Sequence, residues 1–391
     1  MNGDVRTRVL IVGGSFAGLA AAIALQRVGI EPVVFEQAED IRAIDAGVVM
    51  QITAMKALRK LGLGEQMRAI SGQPVEALVL QRPDGVVLAT IPQSPLGREL
   101  GAPAAVVHRG DLLNVLADAA GRSRIRLGAR CVGVEQDADG VSARFADGQE
   151  ARGALLVGAD GIHSVVRRAV LGDSPLRYAG YTAWRAMPRF ADAGIKPAIL
   201  QQASGSGRIF GMYPSDGRVY WFAGQKTPPG GQDAPGGRQQ EVLRLFADWH
   251  PPIAALIRAT PESAILRHDV YDREPVEHWG QGLITLAGDA AHATTPTLGQ
   301  GAGLSIEDGV VLAKELALTP LTDGAQIDSG LRAYERQRIP RTTAINRESW
   351  QISQRILQDN PVWGRVGELV LRLTPARVWR ARADHDAAYE A

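Results

Sequence analysis

The sequence contains almost no cysteine and almost no net charge. Cys131 is the only cysteine among 391 residues, which excludes an intrachain disulfide and favours a reducing compartment. The formal net charge is +1, so there is no global electrostatic case for a nucleic-acid or membrane partner. No apolar run approaches the roughly 18 residues of a membrane span, and the first seven residues lack a signal-peptide core. We therefore expect a cytoplasmic protein, monomeric or homodimeric, without a nucleic-acid or membrane partner.

Signals for several common enzyme classes are also missing. The histidines show no paired metal-ligand spacing, so no metal site is expected, and there is no Gly-x-Ser-x-Gly elbow of a hydrolase. The segment from Arg332 to Arg382 is rich in arginine, but acidic residues are interspersed, which is typical of a solvated helix face.

A nucleotide-binding pattern lies between Arg8 and Gln37. An apolar strand runs into Gly13-Gly14-Ser15-Phe16-Ala17-Gly18, a helix follows, and a second strand ends in Glu36. Glycines allow the tight turn and close helix packing, and the N–H groups at the helix start favour a pyrophosphate. Glu36 stands where an acid accepts hydrogen bonds from a ribose and would repel a 2′-phosphate, so the ligand should be FAD or NAD rather than NADP. Ser15 replaces the middle glycine of the usual pattern.

Two further glycine–acid sites follow predicted buried strands, at Ala159-Asp160-Gly161 and at Gly288-Asp289-Ala290-Ala291-His292. Ligands of open α/β sheets bind outside the carboxyl ends of the strands. The three sites are therefore expected to converge on one extended ligand. His292 is interpreted as structural.

The chain resembles a known family through these motifs. The stretch Gly158 to Arg167, the stretch Leu286 to His292 with Pro296 and Gly299 to Gly303, and Arg109 in His108-Arg109-Gly110-Asp111-Leu112 look like motifs of the single-component (class A) FAD-dependent aromatic hydroxylases of the p-hydroxybenzoate hydroxylase type. The resemblance covers nearly the whole chain.

The resemblance implies an α/β fold: a Rossmann-like FAD-binding domain of the GR2 type, an inserted, mostly antiparallel β-sheet substrate domain, and C-terminal helices. A change of texture between Tyr178 and His268, where aromatics gather on short runs, agrees with the inserted sheet. We expect the FAD domain at 1–74, 104–175 and 276–391, and the substrate domain at 75–103 and 176–275. C-terminal helices are predicted from Gly330 to Gln358 and from Val362 to Leu373.

The resemblance also implies the chemistry. NADH or NADPH would bind transiently and reduce FAD, and O2 would form a flavin hydroperoxide that hydroxylates an aromatic or heteroaromatic small molecule. No catalytic side chain is assigned, because the flavin carries the reaction. The residues expected to bind the cofactor are Gly13, Gly14, Ser15, Phe16, Ala17, Gly18, Glu36, Gln37, Arg42, Arg109, Val132, Asp160, Asp289, Pro296, Gly299, Gly301 and Ala302.

Substrate contacts are expected from two strands of the inserted sheet, Arg208 to Tyr213 and Val219 to Phe222. A loop of odd length would place Arg208 on the same face as Tyr220, and a four-residue loop would place it with Trp221. The segment looks like that of bacterial urate hydroxylases, so we favour the odd loop, with Arg208 holding an anionic or carbonyl group. The residues expected to contact substrate are Arg208, Tyr220, Met212 and Trp184.

The pair Trp184-Arg185 departs from the urate enzymes' pattern, which argues against urate itself and leaves phenolic acids, quinolones and polycycles open. Two other classes of function also stay open. One is a flavin oxidoreductase that does not insert oxygen, such as a halogenase or a prenyl-chain reductase. The other is a non-catalytic flavin-binding protein.

Overall fold

The computed structural model describes residues 8–41, 46–233 and 235–391, and these ranges contain seventeen strands and thirteen α-helices. The strands are β1 (Val9–Val12), β2 (Pro32–Phe35), β3 (Gly47–Met50), β4 (Ala77–Gln81), β5 (Val87–Pro92), β6 (Ala105–His108), β7 (Ile125–Arg126), β8 (Cys131–Asp137), β9 (Gly140–Phe145), β10 (Glu150–Gly153), β11 (Leu155–Gly158), β12 (Arg177–Ala186), β13 (Ile199–Gly205), β14 (Arg208–Ser215), β15 (Arg218–Lys226), β16 (Leu266–Asp272) and β17 (Ile284–Leu286).

The helices in these described ranges carry much of the core and the whole C-terminal part. They are α1 (Phe16–Arg27), α2 (Ile52–Lys60), α3 (Gly64–Ile70), α4 (Leu96–Glu99), α5 (Arg109–Ala120), α6 (Val165–Leu171), α7 (Gly237–Phe246), α8 (Ile253–Arg258), α9 (Asp289–His292), α10 (Gly301–Leu316), α11 (Gly324–Ile356), α12 (Pro361–Leu373) and α13 (Ala376–Ala387).

A parallel sheet of order β17-β11-β1-β2-β7 forms the centre of the nucleotide-binding part. All four residues of β1 are buried, as expected of a strand covered on both faces. Helix α1 packs against α10 at close range: a Cβ added to Gly309 of α10 would lie 2.5 Å from the carbonyl carbon of Ala20. Because β1, β11 and β17 run parallel, their carboxyl ends meet at one edge of the sheet.

A second sheet of order β16-β12-β15-β14-β13-β4-β5 forms the other layer. Its pairs are antiparallel except for β13 and β4, which run parallel. One face is covered by α7 and α8 around Trp221 and Phe210, whose rings stack 5.5 Å apart. We call this the helix face and the opposite one the site face, because its side chains meet β3 and the Pro296–Leu298 turn.

The predicted fold class is confirmed, including the mostly antiparallel sheet and the C-terminal helices. Helix α11 starts six residues before the predicted Gly330 and continues through Pro340. Helix α13 was not predicted. Arg42, expected to bind the cofactor, lies outside the described residues.

The expected common face for Arg208 and Tyr220 is wrong. Strands β14 and β15 are joined by a two-residue turn, Asp216-Gly217, and both turn residues have positive φ. Tyr220 therefore pairs with Tyr213, whereas Arg208 pairs with Gln225. Because alternate residues of a strand point to opposite faces, Arg208 lies on the helix face and Tyr220 on the site face.

Candidate functional site

The glycine turn after β1 lies directly against the end of β11. A Cβ on Gly13, whose φ is +110°, would come within 2.1 Å of the Ala159 carbonyl oxygen. A Cβ on Gly18 would come within 1.9 Å of the Gly13 oxygen, so only glycine allows this approach. The Gly14 N–H donates to Glu36 Oε2 at 2.6 Å, which brings the acid of β2 to the same turn. Neighbouring Gln37 is exposed.

The start of α1 faces the same edge of the sheet. Ser15 is the N-cap of α1 and makes no side-chain capping bond, so the first N–H groups of the helix stay available. The Arg109 guanidinium donates to Ser15 Oγ at 3.4 Å and lies 5.2 Å from the centre of the Phe16 ring. Burial, and then the nearby charge of Arg185, lower the pKa of Arg109, and Asp289 partly offsets this. Ala17 is buried beneath the turn.

Asp160 closes the second strand end by capping α6. Its carboxylate accepts hydrogen bonds from the hydroxyl of Ser164 and from the N–H of Val165 at 2.7 Å. Burial raises the pKa of Asp160, and these bonds act against the rise. Val132 is exposed at a bulge of β8 beside Cys131, whose pKa is raised by burial and, more weakly, by the charge of Asp160.

The third strand end is held by a buried network. The Gly288 N–H donates to Asp308 Oδ2 at 2.8 Å, and His292 Nε2 lies 2.6 Å from the same oxygen. Arg338 of α11 donates to Asp308 Oδ1 at 2.7 Å and to Glu307 Oε2 at 2.9 Å. Burial alone would raise the pKa of Asp308, but the charges of His292 and Arg338 outweigh it and hold the pKa below its usual range. His292 therefore has the structural place expected from the sequence.

This network predicts loss of stability in acid. The pKa values of Glu307 and Asp308 are depressed in the folded protein, so their stabilisation is complete above the unfolded values and is lost as pH falls through the folded ones. We expect the urea concentration at the unfolding midpoint to decrease as the pH falls below about 4.3, where free carboxyls begin to protonate. In Asp308→Asn the free energy of unfolding should depend less steeply on pH, and the slope should correspond to up to one proton fewer taken up on unfolding. An equal slope in both proteins would contradict the assignment.

Asp289 follows this turn and lines the cleft beside it. Its side chain is exposed to solvent, although protein surrounds it closely enough to raise its pKa, with His292 and Arg109 acting in the opposite direction. Within the described ranges its carboxylate accepts no hydrogen bond, so both oxygens are available to a ligand.

A second helix start stands close to the first. Pro296 begins a short 3₁₀ turn, Gly299 has φ +63°, and α10 starts at Gly301 and Ala302 with no side-chain cap. A Cβ on Gly288 would come within 2.7 Å of the Ala17 Cβ, so the α9 turn contacts α1 as well. The three glycine–acid segments and both helix starts therefore lie together.

The site face of the second sheet reaches this cleft through Tyr220 and Tyr181. A Cβ on Gly47 of β3 would come within 2.3 Å of the Tyr220 ring, and Val49 of the same strand lies beside Gly299. Burial raises the pKa of Tyr181, and nearby Thr297, in the turn before α10, acts in the opposite direction. Tyr220 is thus next to the start of α10.

Arg185 lies on the site face, and sequence reasoning did not assign it. It pairs with Phe222, one alternation from Tyr220. Burial raises the pKa of Tyr220, and the nearby charge of Arg185 acts in the opposite direction, so the guanidinium lies close to this hydroxyl. Its Nε is buried and has no partner within the described part of the chain. Burial and the Arg185 charge lower the pKa of nearby His268 to about 4, so this histidine is neutral at pH 7. The departure at Trp184-Arg185 was the only signal in the sequence.

The other three residues expected to contact substrate are not on the site face. Arg208 donates to the Leu245 carbonyl and lies over the rings of Phe246 and Trp249. Met212 and Trp184 are buried in the same helix-face core. The two-residue turn of the β14–β15 hairpin places Arg208 and Met212 against α7 and α8. Trp184 pairs with Ala223 and therefore points to the same face.

The cleft fits FAD. It offers glycines that allow close approach, two uncapped helix starts for negative charge, and an uncommitted carboxylate at Asp289. The Glu36 carboxylate bonds the N–H groups of Gly14 and Ala38 and keeps further lone pairs for a ribose.

A sequence family described as FAD binding domain matches residues 6–349. The chain belongs to this FAD-binding family. An aurachin C monooxygenase/isomerase of Stigmatella aurantiaca is 40% identical over 88% of this chain and 88% of its own length. A 3-amino-4-hydroxybenzoate 2-monooxygenase of Streptomyces cremeus is 34% identical over 92% and 90%.

Solved structures agree with this membership. Klebsiella pneumoniae HpxO complexed with FAD and uric acid superposes with a TM-score of 0.89 at 30% identity, covering 97% of this chain and 96% of that chain. An FAD-dependent urate hydroxylase of the same species is 33% identical over 85% of this chain and 86% of its own length. A salicylate hydroxylase shares the fold at 21% identity, with a TM-score of 0.80 over 99% of this chain and 97% of that one.

This member of the FAD-binding family is a class A FAD-dependent monooxygenase. NAD(P)H is the co-substrate typical of the family, and the relatives include enzymes named for aminohydroxybenzoate and urate. The oxidoreductase without oxygen insertion and the non-catalytic flavin-binding protein are disfavoured, because these relatives are monooxygenases.

Proposed function

We propose that this monooxygenase hydroxylates an aromatic or heteroaromatic ring carrying an anionic oxygen, which Arg185 binds beside Tyr220. The observation that carries the proposal is the buried Arg185 Nε without a partner. An unpaired buried donor is costly, and a substrate oxygen would satisfy it. Arg109 places a second positive charge near Arg185, and the neutral His268 does not offset the Arg185 charge, which favours an anion.

The cofactor assignment follows from the cleft. Gly13 to Gly18 and the start of α1 would hold the pyrophosphate, Glu36 the ribose, and Asp289 the chain that leads to the flavin ring. The N–H groups from Gly299 to Ala302 would stabilise negative charge on that ring. Bound FAD, reduced by NAD(P)H, supplies the oxygen-transfer chemistry. We further propose that residues 75–103 and 176–275 form the substrate domain. The protein is proposed to be a cytoplasmic monomer or homodimer.

Arg185→Met tests the substrate assignment. NAD(P)H oxidation and oxygen uptake would first be followed with hydroxylated aromatic acids, hydroxy-heteroaromatics and their uncharged ethers or amides. We expect only the anionic members to accelerate oxidation. For the best of them, Arg185→Met should raise KM about 10- to 100-fold, the loss expected when a charged hydrogen bond worth roughly 1.5–3 kcal/mol is removed. Arg185→Lys should recover part of the loss.

Arg208→Met is the matched control. Arg208 is an arginine of the same sheet, but its guanidinium bonds the Leu245 carbonyl on the helix face. This variant should lower the unfolding midpoint and leave KM within about twofold of wild type, because a buried hydrogen bond and ring contacts are lost away from the site. A larger KM effect from Arg208→Met than from Arg185→Met would refute the proposal.

A further inference from the structure

Helix α12 has its apolar side turned towards solvent. Six large apolar residues recur at helical spacing and are between 44% and 69% exposed. We call them the apolar stripe: Val362, Trp363, Val366, Leu369, Val370 and Leu373. The half-buried residues of α12 are Glu368 and Leu371, on the other side of the helix. A surface helix normally buries its apolar side against the protein, so this stripe requires another occupant.

The surroundings of the apolar stripe are strongly basic. Residues 361–382 contain five arginines and one glutamate, a formal charge of +4, whereas the whole chain carries only +1. Arg365, Arg372, Arg377 and Arg380 are exposed and form no ion pair within the described ranges. These four arginines therefore add positive charge beside the exposed apolar side chains.

The positive charge indicates which kind of partner covers the apolar stripe. A second copy related by twofold symmetry would place the same patch against itself, bringing +4 against +4. An anionic lipid surface complements both features, since an amphipathic helix with tryptophan on one side and arginines on the other lies at the headgroup boundary. A helix of 13 residues is about 20 Å long, which is shorter than the roughly 30 Å hydrocarbon core.

We propose that the apolar stripe and its arginines bind an anionic membrane surface, so that the monooxygenase associates peripherally with lipid. Among the described residues, none of the helices combines the length and hydropathy that crossing a bilayer requires, so α12 lies on the surface. The proposal replaces the expectation of no membrane partner and is independent of the substrate assigned above.

Vesicle sedimentation of the FAD-loaded full-length protein tests the proposal. With about 30% phosphatidylserine in phosphatidylcholine, the bound fraction should be at least about tenfold higher than with phosphatidylcholine alone. It should fall strongly at about 1 M salt, where the screening length is ~3 Å. Gel filtration over a range of concentrations, without vesicles, would measure the oligomeric state in parallel.

Leu369→Glu with Leu373→Glu should reduce vesicle binding about tenfold or more, and Arg365→Gln with Arg372→Gln should remove the preference for anionic lipid. Leu318→Glu is the matched control, since Leu318 is 96% exposed and lies outside α12. It should bind vesicles like wild type, and all variants should keep FAD. Absence of vesicle binding overturns the proposal, and so does a dimer that Leu369→Glu with Leu373→Glu dissociates.

Discussion

Arg338→Met is expected to lower the free energy of unfolding by about 3–5 kcal/mol, the cost of leaving buried charges without their partner. The Arg338 side chain is fully buried and bonds both Glu307 and Asp308. Burial would lower the pKa of Arg338, but these two carboxylates reverse the direction, so the ion pairs dominate. Methionine fills similar space but leaves both carboxylates less compensated. Equilibrium unfolding in urea, followed by circular dichroism, measures the difference.

Arg341→Met is the control for this variant. Arg341 also bonds Glu307, but its side chain is 17% exposed and water can replace part of the interaction. We expect a smaller loss than from Arg338→Met, about 1.5–3 kcal/mol, the range of hydrogen bonds to charged groups, because Arg338 still pairs with Glu307. An equal loss from both substitutions would show that burial of the arginine is not the source of the effect.

The second large effect is expected from Gly13→Ala, which should abolish tight FAD binding. The new Cβ would stand 2.1 Å from the Ala159 oxygen, so β1, β11 or the turn must move. Overpacking of this kind costs about 1–3 kcal/mol or more. Placed in the cradle of the cofactor, it should raise the FAD Kd about 100-fold, equal to ~2.7 kcal/mol. Flavin absorbance after gel filtration and titration of the apoprotein measure this.

Gly29→Ala is the control that separates the effect of a steric clash from the effect of backbone strain. Gly29 lies just beyond the other end of α1 with φ +81°, and no atom lies within 4 Å of its added Cβ. Alanine there should cost about 1 kcal/mol of stability and leave FAD affinity nearly unchanged. Equal loss of flavin from both variants would contradict the steric explanation.

The nucleotide-binding part was predictable because its signals are local. Each glycine–acid segment follows a short buried strand, and parallel strands place their carboxyl ends at one edge. The positions of Glu36, Asp160 and Asp289 followed from that rule. What these residues bind stays a prediction.

The residues that line the substrate side of the cleft were less predictable, because a single turn determines which face of the sheet they occupy. Asp216-Gly217 is a two-residue hairpin signal, and an even loop reverses the face of every residue paired through it. Taking the loop as odd in length moved Arg208 onto the wrong face and left Arg185 without a role. The exposed side of α12 could not be predicted, since the helical period shows that a stripe exists but not where it points.

The parallel pairing of β13 with β4 has a consequence for biosynthesis. Ala77 is aligned with Ile199, 122 residues later in the chain (199 − 77), and the segments between them include β7 and β11 of the parallel sheet. On the ribosome, the β4–β5 hairpin therefore emerges long before the strand that completes it. Until then it presents an unprotected edge, which other nascent chains could join. Chaperone demand during synthesis should thus concentrate on the interval between these two strands.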